Sequence, residues 1–179
     1  MPKRIVIEKK DNLFALINPS INELRKSLGK EFGVEFDGKA YLAPVEVLYL
    51  IYLGYEVILG RNNKPLDFNK VINLTNDKEL WVKFVVYYDL RNRGRRVKVR
   101  SDKGFTFSDP QSNRDVEVVV MEESRKLKAY ELIEIIDKYT KMNKDVLLAI
   151  ADRHGDVTYY QLSRIHPMRS GKSVEENML

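Results

Sequence analysis

The chain has 179 residues, 44% of them apolar, with 31 Lys and Arg against 26 Asp and Glu for a formal net charge of +5. It has no cysteine, which excludes disulfides, thiolate nucleophiles and Cys-bearing zinc sites, and its two histidines, His154 and His166, are too few for a His-rich metal site or a two-histidine acid–base pair. No apolar run reaches the roughly 18–20 residues of a membrane span, and the start is charged where a signal peptide would be apolar, so a soluble cytoplasmic protein is expected.

The mild excess of positive charge points to an anionic partner. The 32% of charged residues suits a thermophile.

In chain order, Ile5–Ile17 predicts two short strands around a turn at Asp11–Asn12. Pro19–Gly29 predicts a helix, with Ser20 as cap, Glu23 completing an S-x-x-E capping box and Gly29 as the stop. Val34–Ala43 reads as a hairpin turning at Asp37–Gly38. Pro44 suits the first turn of a helix to Gly54 that is apolar nearly all round and therefore buried. Tyr55–Leu59 is a strand, Gly60–Pro65 a turn, and Asp67 caps a short helix through Val71.

Asn76 and Glu79 form a second cap-and-N3 pair, opening a helix that runs to Arg93 and stops at Gly94. Its Trp81, Phe84, Val85 and Tyr88 recur at helical spacing as an apolar stripe. Beyond Gly94, Arg96, Lys98 and Arg100 alternate with Val97 and Val99, the pattern of a strand with one cationic and one buried face. Asp115–Met121 is a strand, and Lys128–Tyr139 a helix with Ala129, Leu132, Ile133 and Ile136 on one side. Asp145–Ala151 is a core strand, and Asp152–Asp156 turns the chain into a last strand from Val157. The predicted architecture is an α+β amino-terminal domain (1–78), a compact α/β carboxy-terminal domain with a mixed sheet (79–166) and a polar tail (167–179), with the boundary near Thr75–Leu80.

The densest charge lies between Arg91 and Lys103, where Arg91, Arg93, Arg95, Arg96, Lys98, Arg100 and Lys103 face one acid, Asp102. Arginine suits phosphate because its planar fork offers paired donors. Arg95, Arg96, Lys98, Arg100 and Lys103 are therefore candidates for an RNA-binding or partner surface. The competing reading is a solvated strand edge kept from aggregating by its charge.

Two segments carry a family likeness: "YLAPVEVLYLIYLGYEV" with "NNKPLDF" and "VVYYDLRNRGRRVK", and "DVLLAIADRHGDVTYY" near the end. The helix ending in Y-x-D-L-R-x-R-G, followed by a V-K strand, is the most specific piece. Over Tyr41 to Leu162 the chain resembles the archaeal tRNA splicing endonuclease (tRNA-intron endonuclease) family, whose fold is then expected here. The resemblance implies metal-free cleavage of precursor tRNA at a bulge–helix–bulge, leaving a cyclic phosphate and a 5′-hydroxyl. A tyrosine serves as general base, a histidine as general acid, and a lysine stabilises the phosphorane.

The same resemblance implies that those residues are replaced. Lys103 takes the place of the tyrosine, Arg114 that of the histidine in a segment reaching Glu117, and Asp145 that of the lysine. Lys144 is one residue away, on the opposite face of its strand, and no Tyr or His occurs from Asp89 to Ala129. A framework without its triad suggests the non-catalytic structural subunit of the crenarchaeal type. It would have no cofactor, no metal and no catalytic residue of its own, and would be paired two plus two with a catalytic paralogue on precursor tRNA. The likeness also assigns a subunit interface to Asp152 and Asp156, in a loop that is acidic in the family, and to Val157, Tyr159 and Tyr160. It makes Arg93 a partner for a carboxylate near Asp89, and His154 reads as a turn residue.

Two other readings compete. A metal-dependent nuclease would use Asp109, Asp115 and Glu117, but Val119 stands where its E-x-K lysine is needed. A stand-alone RNA-binding module would show the aromatic ladder of an RRM or the GXXG loop of a KH domain, and neither is present. Trp81 and the tyrosines at helical spacing read as core.

Overall fold

The computed structural model describes residues 3–60, 64–100 and 104–163. β1 (Arg4–Lys10) and β2 (Leu13–Asn18) form the predicted hairpin, with Asp11 in the left-handed region at its turn. After α1 (Ile21–Leu28), β3 (Val34–Phe36) and β4 (Lys39–Leu42) make a second hairpin, on Asp37 and Gly38 at positive φ. α2 (Pro44–Tyr52) leads into β5 (Glu56–Leu59), which pairs parallel with β1 and closes a sheet of order β3-β4-β2-β1-β5. α3 (Phe68–Leu74), capped by the Asp67 carboxylate accepting from the Lys70 amide at 2.8 Å, runs three residues past the expected end.

α4 (Leu80–Asn92) leads into the second sheet: β6 (Lys98–Val99), β7 (Gly104–Asp109), β8 (Arg114–Glu122), β9 (Asp145–Ala151) and β10 (Val157–Leu162), in order β10-β9-β8-β7-β6. β8 and β9 are parallel and linked by α5 (Ala129–Lys141), while the other neighbours are antiparallel, so the sheet is mixed as expected. α4 packs on α2 and on β8, β9 and β10, and one continuous core runs from Ile5 to Ala151 through these helices.

The junction is held by one buried and one half-buried side chain. Glu46 is 3% exposed, and its carboxylate accepts from the Gly33 amide at 2.7 Å and the Ala43 amide at 2.8 Å. Only glycine fits at 33: φ is +66°, and a Cβ would stand 2.7 Å from Ile21 Cδ1. The Arg91 guanidinium on α4 donates to the Leu28 carbonyl and lies over the Phe32, Tyr49 and Tyr87 rings at 5.9, 5.3 and 5.7 Å.

Several expectations are corrected. Glu79, not Asn76, is the N-cap position of α4, which begins at Leu80 with no side-chain cap bond; the Asp77 carboxylate accepts from the Glu79 amide at 3.0 Å in the turn before it. Trp81 is 49% exposed, because the buried face of α4 is Leu80, Phe84, Val85, Val86, Tyr87 and Leu90, turned toward both α2 and the sheet. Ile133 is 54% exposed, and the one fully buried side chain of α5 is Tyr139. The cationic strand shrinks to Lys98–Val99, and β7, whose alternation of Phe105 and Phe107 with Thr106 and Ser108 went unread, takes over the pairing. Ser20 caps α1 by position, while its hydroxyl faces the Glu23 carboxylate at 3.5 Å instead of a backbone amide. The 61–63 part of the predicted turn and the tail lie outside the described residues.

Two outcomes are expected. Arg91→Ala should cost about 3 kcal/mol in urea unfolding, from a lost carbonyl bond and three ring contacts, and Arg91→Lys should recover only part of it. Burial pushes the Glu46 carboxyl from 4.5 up to about 7, against the lowering effect of its two amide donors. The folded chain therefore holds this proton more tightly than the unfolded chain. The contribution favours folding at acid pH and is withdrawn as pH rises from 4.5 through 7, by about 3 kcal/mol. Glu46→Gln should flatten that part of the stability–pH curve.

Candidate functional site

β8 and β9 start side by side, with Val116 opposite Asp145 in the parallel register. This brings together two of the three replaced positions: Arg114 Nη1 lies 3.5 Å from Asp145 Oδ1 in a partly exposed ion pair. Val116 is buried in the core with α4, whereas its neighbour Glu117 belongs to the other face of β8. Glu117 is 1% exposed and is met by Lys144 Nζ at 3.0 Å and Arg100 Nε at 3.8 Å. Lys144 and Asp145, adjacent in sequence, thus serve different carboxylate and guanidinium partners, as strand alternation requires.

Lys103 lies outside the described residues. Its neighbour Gly104 pairs with Val119, whereas Arg114 pairs with Asp109 at the other end of β7. The β7–β8 turn beside Arg114, 109–113, holds neither Tyr nor His.

The basic stretch separates by role. Arg91 is committed to the junction. Arg93 donates to Asp89 at 2.7 Å, as expected, and lies over the Tyr159 ring at 5.6 Å. Arg95 stands over Phe107 at 5.1 Å and pairs with Asp109 at 3.4 Å, and Arg100 meets Glu117. Arg96 and Lys98 are exposed and, among the described residues, have no ion-pair partner.

The interface candidates also separate. The Tyr159 hydroxyl donates to Asp89 at 2.8 Å, which ties β10 to the end of α4 and turns this side chain inward. Burial, and then the bond to the Asp89 carboxylate, push that hydroxyl far above the usual tyrosine range, so it cannot ionise near neutrality. Tyr160 is 51% exposed on the opposite face, and Val157 packs against the core. The Asp152 carboxylate accepts the amides of His154 and Asp156 at 2.8 and 2.9 Å. The Asp156 amide first, then that of His154, hold the Asp152 carboxyl below its ordinary value. Asp152 therefore builds the turn, His154 is part of it, and Asp156 remains exposed.

Asp109, Asp115 and Glu117 do not form a ligand set: Asp109 is bonded to Arg95, Asp115 to Ser108 and Glu117 to Lys144. Among the described residues no group of three or more His, Asp or Glu is placed to hold a metal, and no helix is long and apolar enough to cross a membrane.

Sequence reasoning missed Glu117 as the anchor beneath this surface. The available signal was an acid between valines at the centre of an apolar strand, a position that demands a partner.

A mixed sheet with α4 laid across it and an α+β sheet in front defines a nuclease-like architecture. The pattern of the family described as "tRNA intron endonuclease, catalytic C-terminal domain" matches residues 80–159. The tRNA-splicing endonuclease of Methanococcus vannielii is 30% identical over 168 residues, covering 89% of this chain and 89% of the relative. Those of Pyrococcus furiosus, 30% over 158 residues (85% and 91%), and Pyrococcus abyssi, 28% over 160 residues (87% and 92%), are similar over nearly the same span. The chain belongs to the tRNA intron endonuclease family.

Glu117→Ala should be strongly destabilising, by about 3 kcal/mol, because it strands the mostly buried Lys144 ammonium. Asp145→Ala, which opens an exposed pair, should cost under about 1 kcal/mol. Tyr159→Phe should cost about 1 kcal/mol. Chemical denaturation of the three variants checks the order.

Proposed function

We propose that this chain is the non-catalytic, structural subunit of a heterotetrameric tRNA splicing endonuclease, assembled two plus two with a catalytic paralogue on precursor tRNA. The observation that carries the reading is the Arg114–Asp145 ion pair. It stands where the family resemblance places the general acid and the phosphorane-stabilising lysine. Transesterification needs a base to take the 2′-hydroxyl proton, an acid to protonate the leaving 5′-oxygen, and a fixed cation for the phosphorane. A guanidinium does not release its proton near neutrality, and a carboxylate opposes the developing negative charge. The base is absent as well, since no Tyr or His occurs from Asp89 to Ala129 and Tyr159 is bound to Asp89.

A subunit without chemistry acts by placing its partner. Two cuts at a fixed spacing need two active subunits at a fixed separation. In this reading residues 1–78 and 79–166 are the two domains. The outer edge of β10, which pairs on one side with β9, offers unpaired backbone groups to the partner, with Tyr160 on the exposed face and Asp156 in the adjoining turn.

The reading predicts no cleavage of a bulge–helix–bulge precursor tRNA by the chain alone, in EDTA. Product should appear, with a cyclic phosphate end, when the chain is mixed with a catalytic paralogue from the same genome that is inactive by itself. Cleavage by the chain alone, or a mixture no more active than its parts, overturns it.

A further inference from the structure

The carboxy-terminal sheet carries α4 on one face, and α5 contacts the other at β9. Along β6 and β7 a groove of about 630 Å³ stays open, with Arg95, Arg96, Lys98 and Arg100 along it. Two acids, Glu31 and Asp115, line it too, and Asp115 already accepts from Ser108 at 2.8 Å. The lining thus carries four cations and two acids. The four cations are not equivalent: Arg95 is matched by Asp109 and Arg100 by the buried Glu117. Arg96 and Lys98 are the exposed ones, with no ion-pair partner among the described residues.

We propose that this groove is a docking track for the RNA sugar–phosphate backbone, contacted through Arg96 and Lys98, while Arg95 and Arg100 form its fixed walls. Two features favour RNA over a peptide. The groove offers few apolar anchors, and Phe107 lies under the Arg95 guanidinium, so a peptide would find little surface to bury. An arginine and a lysine together supply a fork and a point charge, both suited to phosphate and indifferent to base identity. Lys98 and Arg100 also line the larger cleft of about 1140 Å³ beside the amino-terminal sheet, so the track continues past the edge of β6. The proposal rests on the reading that the chain works on precursor tRNA, and it makes the chain a contributor of substrate affinity without chemistry.

The test is equilibrium binding of a fluorescein-labelled bulge–helix–bulge hairpin RNA to the full-length chain, alone and in the mixture with the paralogue, from 50 to 200 mM KCl. Arg96→Ala/Lys98→Ala should weaken binding on the order of tenfold and lower the slope of log K against log salt by about two, one for each contact. Lys9→Ala/Lys39→Ala, which removes the same charge from the amino-terminal sheet, should leave the slope unchanged. Circular dichroism checks that both variants fold. Equal losses in the two double variants would reduce the effect to net charge and overturn the track. Unchanged RNA binding, with weakened association with the paralogue, would make the groove a protein contact and overturn it as well. The binding readout is independent of cleavage. A wild-type chain that fails to activate the paralogue, while the Arg96/Lys98 variant still loses RNA, would sink the structural-subunit reading and leave the track standing.

Discussion

One guanidinium ties the two sheets of this molecule together. Arg91 projects from the last turn of α4, closes on the final carbonyl of α1 and fills a box of three rings from β3's approach, α2 and α4 itself. Arginine is suited to this place because its plane can face aromatic rings while its edge still donates. Glu46 sits beside it, fixing the start of β3 and the start of α2 through Gly33 and Ala43. With α4 fixed at this point, Arg93 and Asp89 on its next turn reach Tyr159 and set β10 in place. The orientation of the carboxy-terminal sheet, and of everything displayed on it, follows from that helix.

The sheet displays an ion pair where its two parallel strands begin. Parallel pairing of β8 and β9 sets Asp145 opposite Val116, two residues from Arg114 and within reach of its side chain. Here the contact is satisfied internally by Arg114 and Asp145. Beneath it, Glu117 is held by Lys144 and Arg100, with the amine and the carboxylate both largely out of water. Such a network is expensive to break on one side, and it fixes the strand ends instead of leaving a lysine free for a substrate. In the groove along β6, Arg96 and Lys98 are not consumed in this way among the described residues.

Much of this was legible in the sequence, for physical reasons that can be named. Asp37–Gly38 demanded a tight hairpin, Asp67 a cap, and Gly94 a helix end, because each depends on a local backbone conformation. The α+β and α/β halves followed from those elements, and the likeness in Y-x-D-L-R-x-R-G pointed to the family. The errors came where tertiary context decides. Trp81 has helical spacing with Phe84 and Val85, but α4 is covered on two sides and the third, where Trp81 stands, is open. Ile133 joins an apolar stripe that α5 only partly uses. Strand alternation puts the neighbouring tyrosines at 159 and 160 on opposite faces, and the approach of Asp89 shows that Tyr159 is the one tied down. The pairing of Lys144 and Asp145 with different partners needed the β8–β9 register, which no single strand reveals.

In the proposed structural role, the strand ends bearing Arg114 and Asp145 take no part in chemistry. The most direct measurement is single-turnover cleavage of precursor tRNA by the mixed assembly in which this chain alone carries Arg114→Ala and Asp145→Ala. The rate should stay within about twofold of the unmodified assembly, since the partly exposed pair contributes little to stability and, in the proposed role, nothing to the barrier. A fall of about a hundredfold, near 2.7 kcal/mol of transition-state stabilisation, in an assembly of unchanged mass would contradict it and return these residues to an active site.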